Sequence, residues 1–159
     1  MINFNWYPFS ELTVQQLYDV LELRSAIFVV EQQCVYLDPD GKDRSALHLL
    51  GRENETVVAY LRLFLPREGQ ADIVFGRVVT ALSARRKGYG IKLLEEMLRY
   101  CHKHFPECPI KCSAQYYLKK FYEGFGFIAN GEIYQEDNIP HIAMLREASK
   151  HQNIITQSD

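Results

Sequence analysis

Between an apolar run, Ile73-Val74-Phe75-Gly76-Arg77-Val78-Val79-Thr80, and an amphipathic one in which Ile91, Leu94, Met97, Leu98 and Cys101 share a helical face, the chain reads Arg85-Arg86-Lys87-Gly88-Tyr89-Gly90. This is a strand, a short loop and a helix. The strand is nearly all apolar, so it is expected to be covered on both faces, which requires layers of helix and sheet. Gly88 and Gly90 carry no Cβ, and backbone N–H groups there can turn together toward an anion. The first turn of the helix adds unpaired N–H groups and the positive end of its dipole. With Arg85, Arg86 and Lys87 around it, the loop has the outline of a phosphate site. It is not a Rossmann loop, which requires a third glycine where Leu93 stands, nor a Walker A loop, which requires Gly-Lys-Ser/Thr.

A chain of 159 residues has room for one well-buried core, read as a single domain over 1–148 with a polar tail over 149–159. Net charge is −2, so the three consecutive cations are a local feature and a nucleic-acid partner is not expected. No apolar run approaches the roughly 20 residues of a membrane span. The first residues lack the basic and apolar regions of a signal peptide, so a cytoplasmic protein with reduced cysteines is expected. Cys101, His102, His104, Cys108 and Cys112 match no standard zinc spacing, and no metal is expected.

Residues 3–7 alternate weakly as an edge strand that Pro8 ends. Thr13 and Gln16 form a capping box, with Leu12 and Leu17 as a staple, for a helix whose face is Leu17, Val20, Leu21, Arg24, Ile27 and Phe28. It is expected to fade over 28–30. Segment 31–43 reads as a long loop, its acidic cluster as a solvated turn and not a calcium loop. Strands follow at 46–50 and 57–65, the second with Val57, Ala59, Leu61, Leu63 and Leu65 on one face and Val58, Tyr60, Arg62 and Phe64 on the other. Gly76 suggests a bulge in the strand at 73–80. After the long helix come a strand at 110–114, a helix bearing Leu118, Phe121, Tyr122 and Phe125, and closing strands at 127–134 and 139–146. The fold class is α/β, a mixed sheet flanked by helices.

The segment Ser113-Ala114-Gln115-Tyr116-Tyr117-Leu118-Lys119-Lys120-Phe121-Tyr122-Glu123-Gly124-Phe125-Gly126-Phe127, together with the Arg-x-x-Gly-x-Gly loop, resembles the GNAT N-acetyltransferases. Leu23-Arg24, Phe28-Val29-Val30-Glu31-Gln32-Gln33-Cys34, Asp40-Gly41-Lys42-Asp43, His48-Leu49-Leu50, Gly76-Arg77-Val78-Val79 and Ile139-Pro140-His141 are similar to the ElaA-like subgroup of that family. The resemblance implies the GNAT acyl-CoA N-acyltransferase fold, a mostly antiparallel central sheet with two strands splayed around a thioester. It implies acetyl-CoA as co-substrate, its pyrophosphate on the loop of Arg85, Arg86, Lys87, Gly88, Tyr89 and Gly90. The pantetheine arm would pair with the backbone of Val78, Val79 and Thr80, and a backbone N–H near Val78 would polarise the carbonyl. Gln115 stands where many relatives have an asparagine that bonds the CoA arm.

Tyr122 falls at the position of the proton donor to the departing thiolate. A phenol of pKa about 10 is a suitable acid toward a thiolate of about 8.5. Glu31, His48 and His141 are candidate bases, and Arg77 is either a substrate anchor or part of a sheet ion pair. The implied activity is N-acetyltransfer to an unidentified primary amine, small or peptidic, directly within a ternary complex. Two alternatives stand beside it, a silent acyl-CoA-binding module or sensor and a ping-pong route through Cys34 or Cys112, and an exposed edge strand at either end would support a homodimer in any of these readings.

Overall fold

The computed structural model describes residues 1–148. Its strands are β1 (Asn3–Pro8), β2 (Leu47–Glu53), β3 (Thr56–Phe64), β4 (Ile73–Thr80), β5 (Ile110–Gln115), β6 (Ile128–Ala129), β7 (Tyr134–Glu136) and β8 (Ile139–Arg146). They form one eight-stranded sheet in the order β1-β2-β3-β4-β5-β8-β6, with β7 also on β8. Every pairing is antiparallel except β4 with β5. That exception follows from the connection: the crossover from β4 to β5 runs through helix α2 (Tyr89–His104), as a parallel pair requires. Two of the antiparallel pairs, β2 with β3 and β7 with β8, reverse through the tight turns Asn54-Glu55 and Asp137-Asn138, whose positive φ values (49° and 60° in the second) suit two-residue hairpins.

Helix α1 (Val14–Arg24) opens on the capping box expected for it: Thr13 Oγ1 accepts from the Gln16 N–H at 3.1 Å, and Gln16 Oε1 accepts from the Thr13 N–H at 2.9 Å. It does not fade. Over Ser25–Glu31 it widens into π turns, with the Gln32 N–H on the Ile27 carbonyl and the Cys34 N–H on the Val29 carbonyl at 3.1 and 3.0 Å. Ile27, Val29 and Val30 are β-branched and crowded in an ordinary helical turn, and the wider turn accommodates them while turning Phe28, Glu31 and Gln32 toward the sheet.

The two faces of the sheet carry separate cores. Helix α2 and helix α3 (Lys119–Glu123) cover one face, where Leu93, Leu94 and Met97 meet Leu61, Leu63, Ile73 and Phe127. Helix α1 covers the other, where Val20, Leu23 and Ile27 meet Leu50, Tyr60 and Val79. A bulge opposite Gly51 and Arg52 inserts Val58, which moves Val58 to the α2 face and Val57 to the α1 face, the reverse of strict alternation. The closing strand expected at 127–134 is divided into β6 and β7, because residues 130–133 leave the sheet where Gly131 takes φ +109°. The expected tail at 149–159 lies outside the described residues.

The distortion that shapes the site is in β4. Gly76 pairs with Arg62 and Val79 with Tyr60, so Arg77 and Val78 stand opposite Leu61 alone. The bulge follows Gly76, and its strained member is Arg77, at φ +53°. Parallel pairing to β5 is confined to Ile73 with Ile110 and Val74 with Lys111, after which the strands part.

Candidate active site

The gap between the parted strands is a cleft of about 780 Å³, lined on one side by β4 residues Phe75 to Thr80 and on the other by Cys112, Ser113 and Gln115. Of the residues expected to hold the donor, Val78, Val79, Thr80, Arg85, Gly90 and Gln115 line it. Arg86, Lys87 and Gly88 lie on the outer, exposed part of the loop. Tyr89, the first residue of α2, is buried and its hydroxyl donates to Glu53 Oε1 at 2.5 Å, so its backbone, the part expected to meet the pyrophosphate, is what it has to offer a ligand.

The loop fits a phosphorylated arm. Arg86 at φ +63° and Gly88 at φ +73° turn the backbone over before α2 begins. The first bond into the helix runs from the Lys92 N–H to the Gly88 carbonyl at 3.2 Å, so the N–H groups of Tyr89, Gly90 and Ile91 precede it and remain open. Two of the cations beside them are paired with acids of the same chain. Arg85 makes a fork to Glu31 with both contacts at 2.7 Å, and Lys87 donates to Glu53 at 2.8 Å.

That fork decides the standing of Glu31. Its hydrogen bonds from Arg85 hold the carboxyl below the usual range, so Glu31 is ionised at neutral pH and poorly suited to take a proton. His48 is not in the cleft. It is 1% exposed, its Nε2–H donates to the Asp43 carbonyl at 2.9 Å, and its Nδ1 accepts from the Tyr60 hydroxyl at 2.8 Å. With both ring nitrogens engaged and burial depressing its pKa, it has no route to a substrate proton, which corrects its place among the candidate bases.

His141 does line the cleft. Its Nδ1–H donates to the Ile139 carbonyl at 2.7 Å, which directs Nε2 toward Glu136 Oε2 at 3.9 Å and leaves that nitrogen a lone pair in the neutral ring. Glu136 Oε2 also accepts from Ser113 Oγ at 2.9 Å, and Ser113 in turn bonds the Tyr134 hydroxyl. Tyr122 is 4% exposed, enclosed by Phe75, Phe121 and Phe127, and its hydroxyl has no hydrogen-bond partner among the described residues. Burial raises its pKa strongly, so it stays protonated throughout the physiological range. Gln115 Nε2 donates to Gln32 Oε1 at 3.2 Å across the cleft.

The acidic stretch is a buried ion network and not the solvated turn its composition suggests. Arg24, fully buried, donates to Asp38 and Asp43 at 2.8 Å each. Arg77 donates to Asp38 Oδ1 at 2.8 Å, and Arg62 to Asp43 at 2.9 Å and to both oxygens of Asp40 at 2.8 and 2.6 Å. Arg77 is thus a sheet ion pair. Three guanidinium groups on α1, β3 and β4 fold the 38–43 segment onto the sheet and make it a wall of the cleft. Sequence reading placed Arg24 on an apolar helical face without drawing the consequence that a buried acid must meet it.

A bulged strand, a splayed partner, a helix N-terminus at the mouth of the gap and a buried phenol within it define a GNAT acyltransferase. The chain belongs to that family: residues 28–148 match the acetyltransferase (GNAT) domain. Within it, the chain is similar to protein ElaA of Escherichia coli K12, at 43% identity over 92% of this chain and 97% of that protein. The crystal structure of Escherichia coli ElaA superposes with a TM-score of 0.87, covering 92% of this chain and 100% of that one at 42% identity. An acyl-CoA N-acyltransferase from Pseudomonas aeruginosa does so with a TM-score of 0.87 at 38% identity, over 92% and 99% of the two chains. The family supports acyl transfer from an acyl-CoA. Among the described residues, no helix is long and apolar enough to cross a membrane.

Proposed function

We propose that this chain transfers an acetyl group from acetyl-CoA to a primary amine by direct attack within a ternary complex. What supports this reading most is the Tyr122 hydroxyl, a buried proton donor that lines the cleft and has no hydrogen-bond partner among the described residues. A module that only binds acyl-CoA has no use for a phenol whose donor capacity is left open.

In this reading the open N–H groups at the start of α2 hold the pyrophosphate, and the backbone of the β4 bulge pairs with the pantetheine arm and polarises the thioester carbonyl. The neutral amine attacks that carbonyl carbon and loses its proton to His141 Nε2, directly or through water. As the C–S bond breaks, Tyr122 gives its proton to the thiolate sulfur. Amide, free thiol, tyrosinate and imidazolium result, and solvent exchange restores the last two. A cysteine route is disfavoured: burial pushes the Cys112 thiol up to about 12, and the Cys34 thiol donates to the Asp137 carbonyl at 2.8 Å.

The test compares Tyr122→Phe with the unaltered chain. Both should gain several degrees of unfolding temperature with saturating acetyl-CoA, and thiol release with a primary amine should fall about 100-fold in the variant. Incubation with acetyl-CoA alone should leave the protein mass unchanged. Equal turnover in the two proteins removes Tyr122 as the acid, and a stable acetyl-protein replaces direct transfer with ping-pong.

A further inference from the structure

The acceptor end of the cleft is electrically two-sided. On one wall, Arg24, Arg62 and Arg77 are matched by Asp38, Asp40 and Asp43, and Lys42 is left over: exposed, lining the cleft, its ammonium paired with no acid among the described residues. Arg62 on the same wall is 5% exposed and retains an unsatisfied donor, since its Nε is the buried side-chain nitrogen without an acceptor among the described residues. On the opposite wall stand Glu136 and Asp137, both exposed and both lining the cleft. Glu136 receives one hydrogen bond from Ser113 and faces His141, while the Asp137 carboxylate has no partner among the described residues. No ion pair crosses from one wall to the other among the described residues, so charges of opposite sign remain available to a ligand lying between them.

From this we infer that the acceptor is a dipolar amine, a primary amine whose carbon chain carries an oxyanion. The inference rests on the transferase reading above and specifies its second substrate. The amine end belongs at Glu136, because that carboxylate attracts the incoming ammonium and lies beside the nitrogen that takes its proton. The oxyanion end belongs at Lys42, the one cation among those named on that wall that no aspartate answers. A monoamine with an uncharged tail leaves Lys42 unanswered, and a diamine places a second cation against it, which is unfavourable.

The experiment measures kcat/KM by thiol release for length series of ω-amino carboxylates, ω-aminoalkyl phosphates, alkylamines and α,ω-diamines. An anionic amine should exceed the alkylamine of equal length by about fivefold or more, with diamines the poorest. The two anionic series separate carboxylate from phosphate as the natural oxyanion. Lys42→Met should abolish the preference by lowering kcat/KM for anionic amines alone, and Lys42→Arg should keep it. Alkylamines or diamines at equal or higher kcat/KM overturn the inference and leave the transferase reading intact. So does a Lys42→Met effect common to all amines or seen on the KM of acetyl-CoA. If acetyl-CoA raises the unfolding temperature but no amine in any series is turned over, the transferase reading falls and the inference falls with it.

Discussion

At the scale of single residues, the site depends on which polar groups are already satisfied and which are not. His48 and His141 illustrate the contrast. Both are largely buried strand residues, but His48 gives one ring nitrogen to a carbonyl and the other to a hydroxyl, whereas His141 is fixed at Nδ1 only. Nothing in the sequence separates them, since the difference lies in what the fold brings to the second nitrogen. The prediction for His141 follows from the role proposed for it as proton acceptor. His141→Gln should lower kcat/KM about 100-fold near neutral pH with the acetyl-CoA shift in unfolding temperature retained. The deficit should shrink as pH rises and solvent hydroxide takes that proton in place of the imidazole. A deficit independent of pH would mean that His141 shapes the cleft and takes no proton. Arg24 is the residue whose signal was present and underused: an arginine on an apolar helical face requires buried acids, and three aspartates follow it within the next twenty residues.

Elements were legible where periodicity was strong and illegible where geometry departs from a regular period. The capping box of α1, the amphipathic face of α2 and the apolar β4 came directly from residue spacing. The π turns over Ser25–Glu31, the bulge at Val58 and the break between β6 and β7 did not, because the first two are local changes of one residue in a repeat and the third is a short excursion at Gly131 within a run that otherwise reads as strand. The π segment has a functional consequence. It brings Glu31 to the mouth of the cleft, where it competes for Arg85 with any phosphate bound at the start of α2. Glu31→Gln should therefore tighten acetyl-CoA binding by about two- to fivefold at low salt, with a smaller gain at high salt. Titration calorimetry of the two proteins checks it, and weaker binding in the variant would show that Glu31 positions Arg85 for the ligand instead of withholding it.

Across the whole molecule, one buried network joins α1, β2, β3, β4 and the 38–43 segment, so this wall of the cleft and the stability of the fold have the same origin. For Asp43, burial alone would raise the pKa, but Arg24 and Arg62 outweigh it and the net shift is downward; Arg62 likewise holds Asp40 low. A carboxyl whose folded pKa is depressed adds stability above its unfolded value of about 3.9, and loses it as pH falls through the folded value. His48 adds a second window. Its depressed pKa keeps it neutral in the fold, so the unfolded chain takes up a proton first as pH drops below about 6.5. Acidification should therefore lower the unfolding temperature in two stages, a shallow decline beginning near pH 6.5 and a steeper one below about pH 4. His48→Gln should remove the first stage and keep the second. Asp43→Asn, which strands Arg24 with one fewer buried partner, should cost about 3 kcal/mol or more at neutral pH and flatten the acid stage. Calorimetric unfolding of the three proteins from pH 8 to pH 3 separates these contributions. A first stage that persists without His48 would place the titrating group elsewhere, and an Asp43→Asn protein of unchanged stability would show that the network serves the site without supporting the fold.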